Sequence, residues 1–234
     1  MYSTMNAELP CPECKNKSWF ETTVVANATV DPTIRDKVLS GEIFIMTCPL
    51  CNARWGMDTP MFFFDMEKNI IIFYPSSGPQ GDEAIPAVLK LASDYPSTRP
   101  FTGRITSSRQ DFQEKVFSLS VNLDDRVMAG LKVLIGDKVS EALKWEIGAI
   151  MLLPPTAGWD GLRFEVDSID GKILEARVDK IAYIQVEAHF AKIGALSSQP
   201  FVVDMKWAEP LVLQMDGDEA LSLIEDHLAI LIPR

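Results

Sequence analysis

The chain has 234 residues and a net charge of −11, and 47% of its residues are apolar. This length and composition suit a globular protein that buries its core without disulfides. The acidic charge disfavours nucleic acid as a partner, because phosphate binding requires a basic surface. The apolar runs at residues 70–74 and 147–153 are far shorter than the roughly 20 residues that span a bilayer, and no signal-like leader opens the chain. We therefore expect a cytoplasmic protein without a membrane segment.

All four cysteines of the chain fall in two matching Cys-x-x-Cys pairs. The first pair is Cys11 and Cys14, the second is Cys48 and Cys51, and in each pair a proline follows the first cysteine. One pair places two thiolates on a single turn, and two pairs complete the tetrahedral ligand set of a closed, structural Zn²⁺ site. We therefore predict that these four residues bind one structural Zn²⁺, and we assign no catalytic residue and no other cofactor-binding residue.

Two other uses of these cysteines remain open. A single Cys-Pro-x-Cys motif at the start of a helix is typical of a dithiol redox centre, where the first thiol has a lowered pKa. In this chain residues typical of strands follow each pair, at 18–22 and 53–55, which favours metal binding. Structural disulfides are disfavoured, because a bridge within a Cys-x-x-Cys pair is strained.

The 33 residues between Cys14 and Cys48 exceed the spacer of about 15–20 in a minimal zinc ribbon. Their pattern predicts a strand over residues 19–30, then a helix with Asp31 as its N-cap and Gly41 at its end. Residues 42–47 predict a strand that leads into the second pair.

Residues 54–64 and 70–74 are apolar and flank a short charged turn, which predicts a β-hairpin. Its aromatic residues favour a core position over a ligand surface. They are Phe62, Phe63, Phe64, Phe73 and Tyr74. Residues 75–81 are rich in proline, serine and glycine and predict a linker. Residues 1–78 thus form a predicted zinc-ribbon-like β module with an inserted helix.

A helical segment is predicted over residues 82–144. It begins with a short helix at residues 82–95, followed by a loop at 96–103. Ser108 and Asp111 resemble a capping box and predict the next helix. A further helix follows Asn122 and is predicted to end before Gly136, so that the last two helices form a hairpin.

From residue 145 to 234 the pattern predicts an antiparallel sheet. Its strands are expected at residues 146–153, 162–166, 173–178 and 181–190. Residues 218–231 have apolar residues at helical spacing and predict a closing helix. The fold class predicted from the whole chain is α+β.

Few residues are candidates for catalysis. The two histidines, His189 and His227, lie near no nucleophile motif, and a structural role is the simpler interpretation. Asp124 and Asp125 suit a helix N-terminus, where acidic side chains are stabilised by the helix dipole. The sequence contains no phosphate-binding glycine loop and no zinc-protease motif.

The two cysteine pairs, with further short matches after them, resemble the CpXC proteins, a bacterial family named for its doubled Cys-Pro-x-Cys motif. The further matches are at residues 31–32, 41–42, 104–105, 114–115, 123–126 and 131–132, with a weaker echo at 203–208. The resemblance covers about residues 8–135 and implies a zinc-ribbon-like site at the four matching cysteines.

One departure from the family pattern concerns the residue directly after each pair. Family members often have glycine there, whereas this chain has Lys15 and Asn52. A positive φ is tolerated moderately by asparagine and poorly by lysine. We therefore expect the first turn to be strained or differently shaped, which would weaken the site.

These observations favour a noncatalytic, zinc-stabilised protein that acts through contacts with a protein partner. A thiol redox or zinc-release sensor is the first alternative, and thiol titration with and without a chelator would reveal it. A zinc-ribbon nucleic-acid factor is the second alternative, and retention on heparin at moderate salt would reveal it.

Overall fold

The computed structural model describes residues 3–76, 86, 101–155, 160–215 and 227–231. It confirms the α+β fold class, because both helices and sheets make up the described residues. The chain divides into two compact units, Met1–Val121 and Asn122–Arg234. None of the described helices combines the length and the hydropathy that crossing a membrane requires.

The first unit contains seven described strands and two described α-helices. The strands are β1 (Ser3–Pro10), β2 (Lys17–Asn27), β3 (Ile45–Thr47), β4 (Arg54–Gly56), β5 (Met61–Asp65), β6 (Ile70–Tyr74) and β7 (Thr102–Ile105). The helices are α1 (Thr33–Leu39) and α2 (Arg109–Ser120), and a 3₁₀ turn spans Glu42–Phe44.

The strands of the first unit form a five-stranded sheet in the order β1-β2-β5-β6-β7, and β3 and β4 form a separate two-stranded sheet. The predicted hairpin is confirmed for the antiparallel pair β5 and β6. Its predicted first arm, residues 54–64, is not one strand, because β4 belongs to the two-stranded sheet. β7 runs parallel to β6, so Thr102 and Gly103 belong to a strand where the sequence predicted a loop. The predicted helix at 82–95, apart from Pro86, and most of the predicted linker fall outside the described residues.

The core of the first unit lies between one face of the five-stranded sheet and its two helices. Phe63 and Ile72 are fully buried on that face, and Val38 and Phe112 pack on them from α1 and α2. Each fully buried phenylalanine contributes roughly 1.5–3 kcal/mol of burial free energy. The core position predicted for the hairpin aromatics is confirmed for Phe63, Phe73 and Tyr74, whereas Phe62 and Phe64 are only half-buried.

Two local details of the first unit differ from prediction. Glu42–Phe44 is a 3₁₀ turn rather than the start of a strand, because Gly41 has a φ of +76° and redirects the chain as it leaves α1. Pro32, not Asp31, is the N-cap residue of α1. The Asp31 carboxylate still caps the helix start, since it accepts hydrogen bonds from the backbone N–H and the hydroxyl of Thr33 at 2.9 and 2.7 Å.

The second unit contains four described strands and three described α-helices. The strands are β8 (Ile147–Leu153), β9 (Leu162–Ser168), β10 (Ile173–Val178) and β11 (Leu228–Leu231). The helices are α3 (Asp125–Leu143), α4 (Lys180–Lys192) and α5 (Met205–Val212), and a 3₁₀ turn spans Ala195–Ser197.

The four strands form an antiparallel sheet in the order β11-β10-β9-β8, as predicted for β8 to β10. Phe164, Val166 and Leu174 point into a core that includes α3 and α4. The two helices of the predicted helical hairpin fall in different units, α2 in the first and α3 in the second. α3 also continues through Gly136, which is buried inside the helix, and the chain turns only at Lys144, with a φ of +57°.

Two predictions for the second unit are wrong. The strand predicted at residues 181–190 is helix α4, which the Asp179 side chain caps by accepting hydrogen bonds from Ile181 and Ala182. The closing helix predicted at residues 218–231 is wrong for its last four residues, because Leu228–Leu231 is strand β11 and pairs with the edge of β10. Residues 216–226 lie outside the described part of the chain.

Candidate metal centre

Each cysteine pair forms the turn of a β-hairpin. The first pair follows Pro10, where β1 ends, and β2 begins three residues after Cys14. The second pair connects β3 with β4. Antiparallel strands therefore hold both turns in place, which explains why strand-like residues follow each pair.

The two turns have the same hydrogen-bonding pattern. In the first, Lys15 N–H donates to the Cys11 carbonyl at 3.1 Å, and in the second, Asn52 N–H donates to the Cys48 carbonyl at 2.9 Å. Each first cysteine in turn donates its own N–H across the turn, to the carbonyl five residues later, at 3.0 and 2.8 Å.

Lys15 and Asn52 have φ angles of +63° and +59°. These are the two positions at which family members often have glycine, and both have a positive φ. The expectation of a different shape is wrong, because the first turn repeats the hydrogen bonds of the second. The cost of the lysine is backbone strain at one residue, since a side chain disfavours this conformation.

The four sulfur atoms converge on one point between the two turns. The Sγ atoms of Cys11 and Cys51 are 3.6 Å apart, those of Cys14 and Cys48 are 3.9 Å apart, and all four lie within 4.8 Å of one another. A tetrahedron of sulfurs about 2.3 Å from a metal has edges of about 3.8 Å. The spacing also exceeds the roughly 2.05 Å of a disulfide bond, and all four residues are free thiols. The four cysteines can therefore hold a metal ion.

The four cysteines differ in exposure. Cys11 and Cys48, the first residue of each pair, are fully buried, whereas Cys14 is half-buried and Cys51 is exposed. The metal centre therefore has one buried side and one side that faces solvent.

The thiols also differ in acidity without a metal. Burial acts to raise the pKa of Cys48, but hydrogen bonds from the backbone N–H groups of Leu50 and Cys51 outweigh it and lower the pKa to about 7. The backbone N–H of Ala53 acts to lower the pKa of Cys51, but desolvation and the neighbouring thiols raise it to about 12. The opposite shifts at Cys48 and Cys51 arise because neighbouring thiols share hydrogen bonds, and a thiolate at one opposes ionisation of the other.

Two aromatic side chains make a contact between the two hairpins. Phe20 of β2 and Trp55 of β4 meet edge to face, with ring centroids 5.1 Å apart. The sequence pattern predicted strands at these residues but no contact between them. The available signal was an aromatic residue within six positions after each cysteine pair.

The model of the CpXC protein family matches residues 9–132, which include both hairpin turns and all four cysteines. The chain belongs to the CpXC family. The match covers more than half of the chain, and it agrees with the resemblance noted at residues 8–135. No curated protein and no solved structure gives a significant match to this CpXC protein.

The other candidate residues of this CpXC protein lie in the second unit, with structural contacts. Asp124 is the N-cap of α3 and forms an ion pair with Arg126 at 2.6 Å, and Asp125 is buried in the first turn of that helix. His227 contacts the Asp179 carboxylate through Nδ1 at 2.7 Å. His189 Nε2 is buried without a hydrogen-bond partner in the described structure.

Proposed function

We propose that the CpXC unit binds one Zn²⁺ through Cys11, Cys14, Cys48 and Cys51, and that this ion has a structural role. The supporting observation is the sulfur geometry: two hairpin turns with identical hydrogen bonding bring four thiols to the spacing of a tetrahedral site. The two buried ligands come from different hairpins, so binding would link β1 and β2 to β3 and β4.

The donor set supports zinc and a closed site. Four thiolates in a tetrahedron suit Zn²⁺ or iron rather than the hard cations Mg²⁺ and Ca²⁺, which prefer oxygen ligands. Four protein ligands leave no position for a water or a substrate, whereas catalytic zinc sites keep one open. When bound, the ion supplies a cross-link whose binding free energy contributes to folding.

We further propose that the protein is noncatalytic and acts through contacts with other proteins. Across the described residues, the four cysteines are the one group of three or more cysteine, histidine or acidic side chains arranged to hold a metal. The acidic net charge argues against the nucleic-acid alternative.

The thiol-sensor alternative has one supporting observation, the exposure of Cys51. A reactive cysteine needs both a lowered pKa and access to solvent. Here the thiol with the lowered pKa, Cys48, is buried, and the exposed Cys51 has a raised pKa. The metal-free thiols therefore support the structural role better than the sensor role.

The test is metal analysis of the purified protein and of two variants. The wild type should contain one zinc per chain. Cys48→Ser and Cys51→Ser should each lose the metal and the thermal stability of the first unit, because binding and folding are coupled. Cys51 is exposed, so replacing it removes a proposed metal ligand without disturbing the buried core.

Thr47→Ser, at an exposed neighbour that is not a ligand, is the control and should keep the metal. Wild-type protein without bound metal, or a Cys51→Ser variant with unchanged metal and stability, would contradict the proposal.

A further inference from the structure

A groove of about 320 Å³ opens on the surface of the first unit. Strands β1 and β2 form one side of it, and α1, the 3₁₀ turn and β3 form the other. This volume is at the lower end of the roughly 300–1,000 Å³ of ligand pockets, so the groove suits one or two side chains of an extended segment.

The floor and the rim of the groove differ in chemistry. Ile34 and Met46 are buried apolar residues that line the groove. Glu21 and Glu42 are exposed at its rim, together with Lys37. Two carboxylates against one ammonium give the rim a net negative charge. Such a surface is complementary to a segment that carries one apolar and one basic side chain.

The edge of β3 supplies backbone hydrogen-bonding groups beside the groove. Ile45 and Met46 line the groove, and Thr47 follows them just outside it. No residue of β4 lines the groove, which places it on the side of β3 away from β4. Within the pair, Met57 N–H donates to the Phe44 carbonyl and Cys48 N–H donates to the Ala53 carbonyl, both at 2.8 Å.

Antiparallel strands alternate bonded and non-bonded residue pairs, so the backbone groups of Met46 face Trp55 and those of Ile45 and Thr47 point away from β4. The Ile45 N–H already donates to the Glu42 carbonyl. The Ile45 carbonyl and both backbone groups of Thr47 have no hydrogen-bond partner among the described residues, and an incoming strand can use them.

We propose that this groove binds an extended peptide segment of a partner protein, which adds as a strand to the free edge of β3. The segment's backbone bonds Ile45 and Thr47, an apolar side chain enters the floor at Ile34 and Met46, and a lysine or arginine lies between Glu21 and Glu42. Strand addition of this kind obtains affinity from main-chain hydrogen bonds and specificity from alternate side chains.

This inference rests on the proposed function, because the metal centre holds the edge in place. β3 has three residues and pairs with β4 alone in the described sheets. An isolated hairpin of this size is marginally stable. The second cysteine pair closes that hairpin, so metal binding stabilises the strand that receives the peptide.

The test uses a fluorescently labelled octapeptide that alternates isoleucine and lysine, added to metal-loaded protein. Saturable binding should shift the amide NMR signals of Ile45 and Thr47. Only one edge of an added strand forms hydrogen bonds with the protein, and its N–H groups belong to every second residue. N-methylation of that set of peptide nitrogens should abolish binding. N-methylation of the other set should change the binding affinity by no more than about twofold. An isoleucine and glutamate octapeptide should not bind.

Protein variants test the charge complementarity. The double variant Glu21→Gln with Glu42→Gln should weaken binding of the octapeptide at least fivefold, and Lys37→Gln should strengthen it. Asp36→Asn is the matched control, since Asp36 is exposed on the same helix as Lys37 but does not line the groove. It should bind like the wild type.

Three outcomes would overturn the inference. The first is that the octapeptide shows no saturable binding at millimolar concentration. The second is that methylation of either set of peptide nitrogens weakens binding equally. The third is that light scattering shows a dimer of the protein and that the octapeptide dissociates this dimer. The third outcome would assign the groove to a second copy of the chain.

The experiment also separates the two proposals. If the sample contains one metal per chain and the octapeptide fails to bind, only the groove proposal fails. If the octapeptide binds equally well to metal-free Cys51→Ser, the structural role of the metal fails and the groove stands.

Discussion

At the scale of single residues, the metal centre depends on two backbone angles. The chain must turn sharply after each cysteine pair, and it does so at Lys15 and Asn52 with φ close to +60°. The Lys15 ammonium donates a hydrogen bond to the carbonyl of Pro12, which offsets part of the strain. The first turn therefore keeps the shape of the second although its sequence suits that shape less well.

Replacing Lys15 with glycine should strengthen the metal centre. Glycine adopts a positive φ without steric cost, whereas for another residue this conformation raises the free energy of the folded state by about 1–2 kcal/mol. After the extra flexibility of glycine in the unfolded chain is subtracted, Lys15→Gly should stabilise the folded site by about 0.5–1 kcal/mol. Chelator competition should then show metal affinity about two- to fivefold higher.

Asn52→Gly is the matched comparison and should give a smaller gain, because asparagine tolerates this conformation better. A weaker metal affinity for Lys15→Gly than for the wild type would show that the lysine hydrogen bond outweighs the strain.

The two cysteine pairs could be recognised from the sequence, because spacing within a Cys-x-x-Cys pair is a local property. The structure brings Cys11, Cys14, Cys48 and Cys51 together. Their unequal burial was not predictable, since it depends on how two hairpins distant in sequence pack around them.

At the scale of secondary-structure elements, helix α4 shows why a local pattern misleads. Exposed Ile181 and Ile184 give the segment the β-branched composition of a strand. The buried residues are Ala182, Val186 and Phe190, at a spacing of four, which is the periodicity of a helix. Apolar residues on the solvent side hid that periodicity.

α3 packs against α4 at Gly130, where a Cβ atom would lie 2.7 Å from Phe190 Cζ and 3.2 Å from Val186 Cγ1. Phe190 is fully buried and its ring has little room to move. Gly130→Ala should therefore destabilise the second unit by about 1–2 kcal/mol in chemical denaturation, although alanine favours helix by about 1 kcal/mol.

Gly136→Ala in the same helix is the control. Its Cβ would lie 3.3 Å from Ile150 Cδ1 and 3.6 Å from Met205 Cε, which are the ends of flexible side chains. This variant should be neutral or stabilised by up to about 1 kcal/mol. Equal stability changes for the two alanine variants would contradict the packing described for Gly130.

The sheet of the second unit carries an ion-pair cluster across two strands. Arg163 of β9 donates two hydrogen bonds to Glu175 of β10, at 2.9 and 2.5 Å, and Arg177 donates a third at 2.6 Å. These bonds lower the pKa of Glu175 from 4.5 to about 2.

The lowered pKa of Glu175 predicts an effect of acid. A carboxyl whose pKa is lower in the folded state stabilises the protein above its unfolded pKa, and this contribution is lost as the pH falls through the folded value. Between about pH 4.5 and 2 the second unit should lose stability, and Glu175→Gln should reduce that loss. Denaturation midpoints measured across this pH range test it.

Glu141→Gln is the control for that experiment, because Glu141 is exposed and its contact with Lys138 is loose, at 3.9 Å. It should leave the pH dependence unchanged. A wild-type acid profile in Glu175→Gln would show that the cluster contributes nothing to acid sensitivity.

At the scale of the whole molecule, the chain consists of two units with separate sheets. The α+β class and most of the first three strands of the second sheet followed from local alternation and turn residues. The strands that join a sheet from far along the sequence could not be predicted in this way. β7 pairs with β6, and β11 pairs with β10 after a long interval, and neither pairing leaves a signal in the short strand itself.

The family match covers the metal centre and ends at residue 132, within α3. The metal centre and the groove both lie in the first unit. This placement supports the proposal that the first unit forms the partner-binding part of the protein, with zinc as its structural ion.

Hydrogen exchange before and after metal removal tests the central claim most directly. The amides of Lys15 and Asn52 donate the hydrogen bonds that close the two turns, so they should be protected while the metal is bound. Chelation should remove that protection by at least tenfold and should also expose β3, while the paired strands β9 and β10 exchange as before. Unchanged protection at Lys15 and Asn52 after complete metal removal would contradict the claim that four thiolates and one ion hold these two hairpins together.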